Sequence, residues 1–209
     1  MTRGRWLLTV LSAVVVVVSG CAYAEAPGMT GPQEHAYSVP MTPLRALPRV
    51  VTPGEHITGG VYPASCAMQG APAAPRPDRR CTPGSVLAEV TQDTIVSTIC
   101  RPGWTGTVRP GSSETDRLKT VAMRSYGVPD TVRSTTELDH FVPLALGGSN
   151  DVDNLWPQTG PGPGTYNLKD HVEERLQDAV CEHRVTLDAA RTAIVADWTT
   201  ALRVTGAGA

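Results

Sequence analysis

Between positions 137 and 170 the chain carries three short groups of residues able to do chemistry together: Glu137-Leu138-Asp139-His140, Asn154-Leu155 and Asn167-Leu168-Lys169-Asp170. An aspartate beside a histidine puts a hard oxygen ligand and a titratable base into one dipeptide. Hydrolysis of a phosphodiester needs both. A divalent cation neutralises the scissile phosphate and the leaving oxygen, while a base takes a proton from the attacking water. An imidazole with an ordinary pKa of about 6.5 suits that base near neutral pH. Mg²⁺ takes oxygen ligands and keeps several of its waters, so one carboxylate and one amide oxygen suffice to hold it.

These groups must be positioned by regular elements. Residues 135–146 read as a strand with apolar Leu138, Val142 and Leu144, and Pro143 marks an edge or an end. Gly147-Gly148-Ser149-Asn150-Asp151 is a loop, Asn154-Leu155-Trp156 a short second strand, and 157–164 a Gly- and Pro-rich connection. A helix is expected from Asn167 to His183, with Val172, Leu176 and Val180 four residues apart. Upstream, Ser113-Glu114-Thr115-Asp116 reads as a capping box opening a helix. Its apolar positions are Leu118, Val121, Ala122 and Tyr126, and Gly127 and Pro129 stop it. A last helix begins after Thr186, with Leu187, Ala190, Ile194, Trp198 and Leu202 as its buried stripe. Trp104, Trp156 and Trp198 are expected in the core. Glu173 and Glu174 are expected on a solvated helix face, and His183 on the helix surface.

Asp139-His140, the Gly147-Gly148 loop, Asn154-Leu155 and the Asn-x-Lys helix opening together resemble the HNH endonuclease family. Cys81-Thr82-Pro83-Gly84, Thr98-Ile99-Cys100-Arg101-Pro102-Gly103, Lys169-Asp170 and Ala196-Asp197-Trp198 extend the resemblance to exported actinobacterial HNH proteins, over about Cys81 to Leu202. The resemblance implies an α+β fold: a ββα-metal core at about 135–183, within a mostly helical small domain spanning 78–209. It also implies roles. Asp139 would be a metal ligand and His140 the general base. Asn154 would fix the loop and hold His140 in orientation. Asn167 would be a further metal ligand, with His171, one helical turn on, as its rival. Asn167 reads equally as the helix N-cap, with Asp170 at the third helical position. Lys169 could touch a phosphate, and Glu137 could be a second carboxylate ligand or a partner for Lys169. The implied cofactor is a divalent cation, Mg²⁺ ahead of Mn²⁺, and the implied substrate is nucleic acid, DNA ahead of RNA, cut with low sequence specificity.

The N-terminus reads as an address. Arg3 and Arg5 precede an apolar run of thirteen residues, Trp6 to Val18, too short for a membrane span of about 20 and suited to a signal peptide. It ends Val18-Ser19-Gly20-Cys21, which resembles a bacterial lipobox: residues 1–20 would be removed and Cys21 lipidated, anchoring the protein to a membrane. An ordinary secretory peptide cleaved near Ala24 is the alternative. Both place the domain outside the cytoplasm. From 21 to 77 the chain is rich in proline and reads as a tether. Cys66, Cys81, Cys100 and Cys181 remain, an even number in an oxidising setting, and read as two disulfides with three possible pairings. No Cys-x-x-Cys pair argues for zinc.

The chain of 209 residues has a net charge of −2, which argues against a uniformly basic nucleic-acid binder. The average hides a division. Residues 76–134 hold nine basic and six acidic residues, whereas 135–183 hold two basic and nine acidic. The acidic stretch contains the expected cation site, where negative charge draws metal. Arg101, Arg109, Arg117, Lys119 and Arg124 in the basic stretch are candidates to face a phosphate backbone. The competing function is a non-catalytic envelope lipoprotein using the same scaffold for binding. No protein partner is implied.

Overall fold

The computed structural model describes residues 49–51, 62, 63, 65–160 and 167–208. The chain divides into units 1–41 and 42–209, and every described residue belongs to the second. The signal peptide (1–20), Cys21 and much of the expected tether lie outside the described residues.

Where the proline-rich stretch is described, it is folded rather than a free tether. β1 (Arg49–Val51), β2 (Gln69–Ala71), β3 (Ala74–Arg76) and β4 (Ser85–Leu87) are each three residues long. β1 runs parallel to β4, and β2 pairs with β3 as an antiparallel hairpin. The physical reason is that this segment has buried partners. Tyr62 is almost wholly buried and its hydroxyl donates to the Leu155 carbonyl at 2.8 Å. Trp198 Nε1 donates to Pro75 O at 2.9 Å, and Arg76 pairs with Asp197 at 2.9 Å. The expected tether therefore ends well before residue 77.

The cysteine pairing left open by the sequence is Cys66–Cys81 and Cys100–Cys181. Two disulfides fit an oxidising environment outside the cytoplasm. Among the described residues no helix is long and apolar enough to cross a membrane. Replacing Cys66 and Cys81 together by Ser is expected to cost about 3 kcal/mol, the loop-closure entropy of a 15-residue separation. Urea unfolding checks this, as a lower midpoint at unchanged slope.

The chain continues through α1 (Trp104–Val108) and α2 (Ser112–Ser125). The expected α2 forms, but it begins at Ser112 with Gly111 as its N-cap and no side-chain cap. Ser113 already lies inside the first turn, so the expected capping box does not form. β5 (Thr136–His140) and β6 (Leu155–Thr159) form an antiparallel pair in the register Asp139↔Trp156 and His140↔Leu155. β5 stops six residues short of the expected end, because Pro143 lacks an N–H and leads into a single 3₁₀ turn, Leu144–Leu146. α3 (Leu168–Cys181) then packs beside them. The expected last helix is two, α4 (Leu187–Asp197) and α5 (Ala201–Thr205). Asp197 Oδ1 accepts from the backbone N–H of Thr199 at 3.0 Å and from its hydroxyl at 2.7 Å, a local alternative to continued helix.

The core joins Leu118 and Ala122 of α2, Leu155 and Trp156 of β6, Leu176 and Val180 of α3, and Ala190 and Ile194 of α4. Trp104, Trp156 and Trp198 are all buried, as core residues rather than exposed stacking platforms. The fold is mixed helix and strand, with β5, β6 and α3 consecutive in the chain.

Candidate active site

The loop between β5 and β6 is held by one side chain. Asn154 is fully buried. Its Oδ1 accepts from Val142 N at 2.8 Å and Ser85 N at 3.4 Å; its Nδ2 donates to Val142 O at 2.9 Å and Ser149 O at 2.8 Å. It acts as an extra peptide unit across the loop mouth. The two glycines are required by space. A Cβ on Gly147, whose φ is 75°, would lie 2.5 Å from Val90 Cγ1, and one on Gly148 would lie 1.8 Å from Val142 O. Arg191, almost wholly buried, pins the same turn by donating to Leu146 O at 2.8 Å and Val90 O at 3.0 Å.

His140, at the end of β5, is half-buried. Its Nε2 lies 2.8 Å from Asn150 Oδ1, and Asn150 Nδ2 donates to Val108 O at 2.7 Å. That second bond decides the first: with its amide nitrogen committed to a carbonyl, Asn150 presents only an acceptor. Nε2 therefore carries the proton, and Nδ1 is left as the basic nitrogen. Burial lowers the pKa of His140 below its ordinary value, and Asn150 and Asp139 only partly offset this. Asn150 holds the imidazole, the role the family resemblance assigned to Asn154, whose four contacts are all to backbone. Nothing in the local sequence pattern distinguishes Asn150, since its partners come from β5 and from the end of α1.

Asn167 is the N-cap of α3. Its Oδ1 accepts from Lys169 N at 2.8 Å and Asp170 N at 3.1 Å, and its Nδ2 donates to Glu137 Oε2 at 3.2 Å. With its oxygen engaged twice, it serves as a cap and a tie to β5 rather than a metal ligand. His171 is exposed and does not line the cleft described below. Lys169, expected at a phosphate, is instead one of the most buried side chains of the domain, at 1% exposure. Its ammonium donates to His140 O at 2.7 Å and to Glu173, and lies 2.8 Å from Asp139 Oδ2. Glu173, expected on a solvated face, is thus turned inward. Its place four residues after Lys169 was a signal the sequence offered.

Beside Lys169 lies a cleft of about 190 Å³. Four acidic residues (Glu137, Asp139, Asp170 and Glu173), His140 and Arg109 are among those that line it. Burial, then the charges of Asp139 and Asp170, hold Glu137 above the usual carboxylate range. Burial and Asp139 likewise raise Asp170 and Glu173. Burial pulls the Lys169 ammonium down, but Asp139 and Glu173 outweigh it and keep it charged. The cleft is short of positive charge.

Among the described residues no three His, Cys, Asp or Glu side chains converge as a ready-made metal cage. The donor set still suits a hard cation that retains its waters. Asp139 Oδ2 is buried and accepts no well-directed hydrogen bond, despite its short distance to Lys169. Of the five cations expected to meet a phosphate backbone, Arg109 lines this cleft. Arg101 lines an adjoining cleft of about 370 Å³ that shares Thr105 and Gln177 with it. Arg117 and Arg124 are exposed on α2, and Lys119 is half-buried.

Comparison with family models, curated proteins and solved structures finds no match. The fold and site on their own define a disulfide-bonded α+β domain. Its acidic cleft is lined by a histidine whose Nε2 is hydrogen-bonded to Asn150.

Proposed function

We propose that this chain is a metal-dependent endonuclease of the HNH type, which hydrolyses phosphodiester bonds in nucleic acid, DNA ahead of RNA, outside the cytoplasm. The observation that carries this reading is His140. It is a neutral imidazole whose proton is fixed on Nε2 by Asn150, beside an oxygen-rich cleft at the junction of a two-stranded hairpin and the following helix. Asp139 would hold a Mg²⁺ or Mn²⁺ ion that otherwise keeps its waters, and such an ion supplies charge neutralisation at the scissile phosphate. His140 takes the proton of the attacking water at Nδ1 as the new bond to phosphorus forms and the bond to the leaving oxygen breaks. Arg109 at the rim meets a phosphate oxygen of the strand. Lipid attachment at Cys21 belongs to the same reading and would tether this activity to a membrane.

The test is a supercoiled plasmid incubated with the purified full chain. Relaxed and linear DNA are expected with Mg²⁺ or Mn²⁺ and not with EDTA. Asp139→Asn should cut at least about 100-fold more slowly, since it removes the charge facing the ion. A plasmid that stays supercoiled with every divalent ion would overturn the reading, and a parallel RNA arm reports the preferred substrate.

A further inference from the structure

Lys169 has no evident reason to be buried at the start of a helix. It is the second residue of α3, where the positive end of the helix dipole disfavours a cation. Its side chain is 1% exposed, so its ammonium cannot reach a substrate. That ammonium has three N–H groups and three oxygen neighbours: His140 O at 2.7 Å, Glu173 Oε1, and Asp139 Oδ2 at 2.8 Å. The first two are directed hydrogen bonds. The third is not, because Asp139 Oδ2 receives no hydrogen bond of good geometry. The three oxygens form a cation-binding tripod occupied by a side chain, and Asp139 is the leg held as an ion pair without a directed hydrogen bond.

The charge count points the same way. Asp139 and Glu173 face one ammonium, and the cleft beside them also holds Glu137, Asp170 and Arg109. Carboxyl groups outnumber cationic side chains around the cleft. A divalent ion approaching Asp139 meets a carboxylate that is already half-committed.

We propose that Lys169 is the resident counter-ion of the Asp139–Glu173 pair, and that a divalent cation binds Asp139 in competition with it. This rests on the metal site proposed above and adds its regulation. In the absence of metal, Lys169 bridges the Asp139 and Glu173 carboxyl groups and the His140 carbonyl, and so holds the β5–α3 junction closed. When metal loads, the Asp139 contact is exchanged while the contacts to Glu173 and His140 O persist. The lysine weakens the site for its ion, so that occupancy follows the ambient metal concentration.

The experiment compares full-length wild type with Lys169→Met, which keeps the length of the side chain and removes its charge. Mn²⁺ is the probe, with free ion read by electron paramagnetic resonance and Tm by circular dichroism. Lys169→Met should bind Mn²⁺ at least about 10-fold more tightly than wild type. Without metal it should melt lower than wild type, and Mn²⁺ should raise its Tm by more than it raises that of wild type. Glu173→Gln, which leaves Asp139 as the carboxylate partner of the ammonium beside the His140 carbonyl, should bind Mn²⁺ more weakly than wild type. The proposal is overturned if Lys169→Met binds Mn²⁺ no more tightly than wild type. It is equally overturned if the variant stays unfolded in Mn²⁺, because the ion then fails to replace the ammonium. Plasmid nicking is a separate readout. Competition without nicking removes the nuclease reading alone, and nicking without competition removes this proposal alone.

Discussion

His140→Ala is expected to abolish plasmid nicking, by about 10²- to 10⁴-fold, the usual worth of a positioned general base, while leaving the melting temperature close to wild type. Among the described residues the side chain hydrogen-bonds Asn150, which keeps its second bond to Val108 O in the variant, so little of the fold depends on the ring. The pH dependence follows from the depressed pKa of the imidazole. A base that stays neutral in the folded protein remains active below the ordinary value of about 6.5, so the acid limb of nicking should lie below that pH. The stability sign is the reverse. Below about 6.5 the unfolded chain takes up a proton at this histidine before the folded one does, so His140 costs stability as the pH falls. His140→Ala removes that penalty. Nicking by the variant within a few-fold of wild type would exclude the imidazole as the base.

Asn154→Ala should be the most damaging substitution to the fold itself. It strips partners from Val142 N, Val142 O and Ser149 O, all buried, and loosens Ser85 N. Unpaired buried polar groups cost about 1–3 kcal/mol each, so a loss of about 4 kcal/mol or more is expected, equivalent to a fall in Tm of about 10–15 °C. Activity should fall with it, because the loop that Asn154 closes begins directly after His140. The pair of variants separates the two residues: one loses chemistry at constant stability, the other loses both. A Tm within a few degrees of wild type for Asn154→Ala would contradict the clamp.

The sequence exposed what depends on local spacing. α2 and α3 were legible from residues three and four apart, and the β5–β6 hairpin from two apolar runs around Gly147-Gly148. Asp139 and His140 were legible as a pair because a hard oxygen ligand and a titratable base stand side by side in the chain. What escaped depends on contacts distant in sequence. Asn150 reaches His140 and Val108 only once the loop has closed on α1. Asn167 could be a ligand or a cap until Lys169 N and Asp170 N were seen to consume its oxygen. Lys169 was expected at a phosphate and Glu173 on a solvated face, because helical spacing cannot tell which face meets β5. The proline content of 21–77 suggested a tether throughout, since composition does not register that Tyr62 and Pro75 have partners at Leu155 and Trp198.

Those partners bear on how the chain reaches its native state. The Pro75 carbonyl is capped by Trp198, 123 residues later, and Arg76 by Asp197. A nascent chain therefore carries its first strands without their seats until almost the last helix has been made. Such long-range closure makes folding slow and all-or-none, so a truncation near residue 195 would leave the early segment unsealed as well as shorten the end. Residues 75–76 and 197–198 thus act as a clasp between the early and late parts of the domain.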